Sequence, residues 1–261
     1  MLLLSGSVII GYLLSTVYVR NMLLDKLVED TKRIFFYLLV FLSLSLFGLY
    51  TLNLVNQVNG FNFNTSLSLT LLTINALFFI FMFKKPIYHL GLILFPITVL
   101  IIVITIFYKT DNTPAEFSNK NLQIHILSSF ISYGFLGLAG LEAILLSRQE
   151  KKLRDVKDSS LAISLPPIEV MEKIMFELIV IGFVLLTISL LSGAPFILTG
   201  NTGFLMHKVV FSVVAWITFG YLLFKRFSSG VRGIKAAHLT LSGITFLLVA
   251  YLGTRLLFEL I

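Results

Sequence analysis

A chain of 261 residues that is 57% hydrophobic and 13% charged, with a mean hydropathy of +0.96, has too little interior to hide its apolar surface from water. That excludes an ordinary water-soluble domain. The absence of cysteine excludes disulfides, thiolate metal ligands and thiol redox chemistry, and the net charge of +7 has to be read by its placement.

Eight continuous apolar runs fill the chain, each near the roughly 20 residues that a bilayer crossing needs. The predicted spans are 1–19, 34–55, 67–83, 88–107, 122–146, 170–192, 206–224 and 238–260. Lipid offers no partner to a backbone N–H or C=O, so continuous runs such as Leu92–Phe107 and Ile179–Leu191 must be helices. A transmembrane barrel would show short alternating segments. The expected fold is an all-α, polytopic integral membrane protein of eight transmembrane helices. It reads as a single membrane domain, 1–261, with no linker, repeat or low-complexity tract.

Charge orients the spans. Arg20, Lys26, Lys32 and Arg33 lie between the first two. Lys84 and Lys85 lie between the third and fourth. Arg148, Lys151, Lys152, Arg154 and Lys157 follow the fifth, and Lys225, Arg226, Arg232 and Lys235 follow the seventh. Fifteen of the twenty basic residues thus fall on alternate connections. The positive-inside rule places those connections in the cytoplasm and both termini outside. The basic excess is a topology signal and an attraction to anionic lipid, not a nucleic-acid surface. No basic stretch precedes the first span and Arg20 follows it, so it reads as a span and not as a signal peptide.

Further along, Pro167 suits the first position of the sixth helix, where a missing N–H costs nothing, and Glu169 suits its first turn. The outer loop 193–205 carries Gly193, Pro195, Gly200 and Gly203, which reads as an irregular turn. Glu142, Glu177, Arg255 and Glu259 are the charges to explain inside spans. Each lies within about two turns of a predicted end, so its side chain can reach the interface.

Four histidines sit at helix ends. His89 and His238 fall on the inner side, where the wet headgroup region suits them. His125 and His207 fall on the outer side. Neutral imidazole is the commonest metal ligand, and two facing imidazoles form an axial pair for heme iron. At 100° per residue, Ser128, Ser129 and Ser132 share the face of His125, with Tyr133 at its edge. Such a stripe faces other helices or a cavity, not lipid. His207 shares a face with Phe211, Val214, Thr218 and Tyr221. The fifth and seventh helices are therefore expected to pack together, with both rings turned to one outer cavity. Arg255 suits a heme propionate or a lipid headgroup. No nucleophile–base pair, phosphate loop or HExxH appears, so an enzyme is not expected.

From Leu122 onward the sequence resembles the cytochrome c assembly family, the CcsA/CcmC-like membrane proteins that handle heme. The likeness runs through His125 with Ser128-Ser129 and Ser132-Tyr133, then Leu165-Pro166-Pro167, Met171-Glu172 and Phe176. It continues in Leu190-Leu191-Ser192-Gly193, Gly230, Arg232-Gly233, Lys235-Ala236 and Tyr251-Leu252-Gly253, over 122–258. One departure is large. Heme-delivering members carry a tryptophan-rich outer segment ending in Trp-Asp. Here loop 193–205 has neither residue, and the single tryptophan, Trp216, lies within the seventh span. The chain is thus more similar to the shorter YpjD/HemX-like branch. The resemblance implies a bacterial inner-membrane protein of cytochrome c assembly or heme handling, holding b-type heme near the outer face. His125 and His207 would be the axial iron ligands and Arg255 a propionate contact. Implied partners are membrane lipid and other cytochrome-biogenesis or heme-biosynthesis proteins. Two other readings stand beside it. One is a regulatory membrane protein that contacts a heme-synthesis enzyme through its cytoplasmic loops without binding heme. The other is a small-solute transporter.

The charge pattern makes one direct prediction. A topology reporter fused after Ile261 should show an external location, and a cytoplasmic signal there would overturn the orientation.

Overall fold

The computed structural model describes residues 2–24, 30–58, 62–107, 120–155, 165–199 and 206–259. Among the described residues there is helix and no strand. The helices are α1 (Leu2–Leu24), α2 (Asp30–Val58), α3 (Phe63–Phe81), a 3-10 turn (Tyr88–Leu90), α4 (Gly91–Phe107), α5 (Lys120–Asp155), α6 (Ile168–Thr199), α7 (Met206–Ser229) and α8 (Gly233–Glu259). Eight of these are long and apolar enough to cross a membrane. All eight predicted spans are present, and the differences lie at their ends.

Most differences are extensions into polar sequence. α5 has 36 residues, about 54 Å at 1.5 Å per residue, against a hydrocarbon thickness of about 30 Å. Its tail Ser-Arg-Gln-Glu-Lys-Lys-Leu-Arg-Asp is made largely of good helix formers, and outside the bilayer water satisfies their side chains. The extension changes the reading of Glu142. That residue is fully buried and does not snorkel, because its helix runs on well past it to Asp155. The expected irregular turn after residue 192 is also corrected. α6 continues through Gly193 and Pro195 to Thr199. A proline within a helix removes one N–H, here the donor to the Leu191 carbonyl, and membrane helices tolerate this. Pro167 stands just before α6 and accepts from the Met171 N–H (3.1 Å), with Glu169 in the first turn as expected. Residues 156–164 of the inner segment, and Gly200 and Gly203 of the outer loop, lie outside the described residues.

The helices cluster into two compact units. The first holds 1–116 and 152–166, the second 117–151 and 167–261. In the first unit, α1 packs on α2 and α4, α2 on α3, and α3 on α4. Its interior is aromatic. Tyr12 is fully buried, with its ring 6.0 Å from Phe47 and 5.6 Å from Phe95, and Phe78 meets Phe95 edge-on at 5.4 Å. Asn75 on α3 donates to Thr98 on α4 (2.9 Å), and Tyr50 on α2 bonds Thr105 on α4 (3.0 Å). Asn62 and Thr65 cap α3 reciprocally. Outward-facing Ile10, Leu14, Phe35, Leu38 and Leu42 are all more than half exposed, as side chains solvated by lipid should be.

In the second unit α5 is the central helix. Two-thirds of its most apolar window is buried, 67% against 22–44% for α6, α7 and α8. Leu136 of α5 lies against Gly182 of α6, and Gly140 of α5 against Ile244 of α8. Trp216 on α7 donates to Thr187 on α6 (2.8 Å) and stacks on Phe183 with ring centroids 5.6 Å apart.

The end of this unit that carries the basic turn between α7 and α8 is closed by a polar clamp. The turn 230–232 brings α8 back against α5 and α6. The Gly233 N–H donates to Glu172 Oε2 (2.8 Å), and the Ile234 N–H donates to Glu150 Oε2 (2.8 Å). These are orphan donors of the α8 N-terminus, and carboxylates there also suit the helix dipole. Arg226 of α7 pairs with Glu172 Oε1 at 2.6 Å, donates to the Val231 carbonyl at 3.1 Å, and lies 4.5 Å from the centre of the Phe176 ring. Hydrogen bonds to charged groups contribute roughly 1.5–3 kcal/mol each.

Gly230 and Gly233 both have positive φ, +63° and +59°. An alanine at either position costs roughly 1–2 kcal/mol from backbone alone. At Gly230 a Cβ meets nothing, whereas at Gly233 it falls 2.6 Å from Glu150 Oε2 and forces that carboxylate off the Ile234 N–H. Gly233→Ala should therefore lower the thermal midpoint of the detergent-purified protein more than Gly230→Ala, and equal midpoints would count against the clamp.

Candidate functional site

His125, His207 and Arg255 all belong to the second unit. The structure gives the two histidines very different surroundings.

His125 lies near the N-terminal end of α5 and turns onto α6. Its Nδ1 is 2.7 Å from the Ser189 carbonyl oxygen and 3.3 Å from Ser189 Oγ. A carbonyl can only accept, so Nδ1 carries the hydrogen. The surrounding hydroxyls agree with that assignment. Ser129 Oγ gives its one hydrogen to the His125 carbonyl (2.6 Å) and receives one from Ser189 Oγ (2.6 Å). The Ser189 hydrogen is thereby used, and toward Nδ1 its oxygen accepts. In the neutral ring, Nε2 is left with a bare lone pair. The imidazole is only partly buried.

The ring approaches α6 more closely than a side chain there would allow. A Cβ on Gly193 would stand 2.7 Å from Nδ1 and 2.8 Å from Cε1 of His125. The polar stripe read from the sequence runs inward from this point. Ser128 bonds back to the Ile124 carbonyl (2.7 Å), and Ser132 donates to the Gly182 carbonyl (2.9 Å). Tyr133 leaves the stripe and bonds Ser212 of α7, with its ring 6.1 Å from that of Tyr251 on α8. Helices α5 and α7 thus meet at Tyr133. The histidine itself faces α6.

His207 sits at the start of α7 and is exposed. Among the described residues no hydrogen bond or ring contact joins it to His125. The side chains of Arg255 and Glu259 lie outside the described residues. His238, near the start of α8, is exposed. His89 is fully buried in the 3-10 turn of the first unit, next to Tyr88. That turn packs on α1 and α4, so the ring is enclosed by protein and does not lie open at a wet surface. Among the described residues no group of three or more His, Cys, Asp or Glu is placed to hold a metal ion.

Sequence reasoning found His125 and its serines but missed Ser189 and Gly193. The signal is Gly193, a glycine a few residues short of a helix end, which in sequence looks like part of a turn. The roles of Glu150, Glu172 and Arg226 were missed as well. Opposite charges on three different helices carry no pairing information in a single sequence.

A family model described as cytochrome C assembly protein matches residues 30–261. The chain is 31% identical over 144 residues to the inner membrane protein YpjD of Escherichia coli K12, covering 55% of this chain and 54% of that one. It is 31% identical over 98 residues to the cytochrome c biogenesis protein CcsA of Prochlorococcus marinus, covering 37% of this chain and 31% of that one. It is 26% identical over 199 residues to CcsA of Guillardia theta, covering 67% of this chain and 66% of that one. The chain spans about half the length of the YpjD proteins it matches. No solved structure matches it. The family model covers most of the chain, and eight of its helices are long and apolar enough to cross a membrane: the chain is a multi-pass membrane protein and belongs to the cytochrome c assembly protein family.

Proposed function

We propose that this protein binds heme in the bacterial inner membrane and takes part in cytochrome c biogenesis, with its basic connections in the cytoplasm and the heme near the outer face. The single observation that carries the reading is the state of His125. An axial histidine needs an unprotonated ring nitrogen, and metal-bound histidines commonly donate the other N–H to a carbonyl or carboxylate. His125 has that arrangement, with Nδ1 donating to the Ser189 carbonyl at 2.7 Å. The donor set therefore fits heme iron at one axial position. The absence of cysteine removes thiolate as an alternative to imidazole. Family membership supports the same reading.

When bound, heme would supply an iron centre that imidazole nitrogen can hold. His125 Nε2 would be one such ligand. His207, on the same proposed side, is the candidate for a second, and Arg255 for a propionate contact. The serines do not touch iron in this scheme; Ser129 and Ser189 hold the imidazole in one tautomer and one orientation. The absence of a tryptophan-rich segment between α6 and α7 favours holding or passing heme within the membrane over presenting it to a protein outside.

Absorbance spectroscopy of the detergent-purified protein, alone and titrated with hemin, tests this. A Soret band is expected. His125→Ala should abolish it or alter it strongly. His207→Ala should convert a low-spin to a high-spin spectrum, while His89→Ala and His238→Ala leave it unchanged. Ligands near opposite faces, roughly 30 Å apart, cannot share one porphyrin. An unchanged spectrum in His125→Ala would refute the assignment.

A further inference from the structure

Gly193 lacks the usual reasons for a glycine. It lies within α6, where glycine costs about 1 kcal/mol relative to alanine. It is not a left-handed cap, since among the described residues only Gly230 and Gly233 have positive φ. What it does have is the His125 ring, lying where its side chain would be, with Nδ1 2.7 Å and Cε1 2.8 Å from an ideal Cβ. Contacts under 3.0 Å are not made by real Cβ atoms, so an alanine would push the ring away.

We propose that Gly193 is a positioning residue for His125: its missing side chain is the seat that keeps Nδ1 on the Ser189 carbonyl and Nε2 bare. The inference rests on the heme reading for its purpose, but not for its geometry. Ser189 stands one turn before Gly193 on the same face of α6. The carbonyl that receives Nδ1–H and the gap that admits the ring are thus supplied by one helical turn. Ser129 completes the device from α5, because its bond to Ser189 Oγ (2.6 Å) stops that hydroxyl from donating to Nδ1. An N–H held on a carbonyl raises the donor strength of the opposite nitrogen. With alanine at 193 the ring must turn, the 2.7 Å bond is lost, and the imidazole is free to adopt the other tautomer.

Two heme-free measurements and one hemin titration decide the matter. The first is nitrogen NMR of the heme-free, histidine-labelled protein, with His125 assigned by its loss in His125→Ala. It should show Nδ1–H in the unaltered protein and a shift toward Nε2–H in Gly193→Ala. An Nε2–H form in the unaltered protein, or no shift in the variant, overturns the proposal. The second is thermal stability. Gly193→Ala should lower the midpoint alone but not in a His125→Ala background, where the ring it collides with is gone. An equal loss in both backgrounds overturns the proposal, including where Gly193→Ala folds poorly. In the third, hemin should bind Gly193→Ala roughly 10–100-fold more weakly. Gly182→Ala crowds Leu136 on the same helix pair, with a Cβ 2.6 Å from its Cγ, and should leave the His125 tautomer and hemin affinity unchanged. A matching loss of affinity in Gly182→Ala would mark the effect as general packing and overturn the proposal. If the unaltered protein binds no hemin, the heme reading fails while the first two measurements still decide the seat.

Discussion

The second unit depends on two carboxylates meeting one helix N-terminus. The first backbone N–H groups of any helix lack intrahelical acceptors. α8 begins at Gly233 and takes its acceptors from Glu172 of α6 and Glu150 of α5. Arg226 of α7 neutralises part of that acidic pair and also holds the turn through the Val231 carbonyl. Four helices are therefore fixed at one point by hydrogen bonds that each need a defined atom. Only glycine fits at 233, for two independent reasons, the positive φ and the carboxylate against its α-carbon.

From that fixed inner end α5 runs outward as the most enclosed helix of its unit. Small residues let its neighbours approach. Gly182 admits Leu136, Gly140 admits Ile244, and Gly243 of α8 admits Phe219 of α7. Serines interleave with them and donate to backbone carbonyls on their own helix or the next one. At the outer end the same close approach brings an imidazole against α6 in place of an aliphatic side chain. A ring held by a carbonyl, a hydroxyl pair and a glycine is oriented more strictly than a histidine free in the headgroup region. Orientation of that kind is what metal ligation requires of its protein.

The first unit has a different character. Its helices are joined by a cluster of aromatic rings around Tyr12, Phe47, Phe78 and Phe95, with isolated polar ties between Asn75 and Thr98 and between Tyr50 and Thr105. Its one described histidine, His89, is sealed in the interior. The histidines that matter to the proposed chemistry belong to the second unit.

Much of this was legible in the residues. The eight spans follow from hydropathy and length, because a bilayer leaves a long apolar segment no alternative to a helix. The face joining His125 to Ser128, Ser129 and Ser132 follows from helical periodicity alone, and the family from the order of its short motifs. Helix ends were less legible. The tail of α5 is polar and helical at once, so hydropathy stopped at 146 where the backbone continues to Asp155. Gly193 and Pro195 looked like turn residues because, within one sequence, a glycine that breaks a helix and a glycine that admits a neighbouring ring are the same letter. Only the tertiary structure decided that His125 Nδ1 meets α6, since periodicity fixes a face but not the helix it meets. Only the tertiary structure assigned its tautomer, which depends on a carbonyl 64 residues away. The inner clamp was hidden for the same reason: Glu150, Glu172, Arg226 and Gly233 are ordinary interfacial residues in sequence, and their meaning comes from four helix ends arriving at one place.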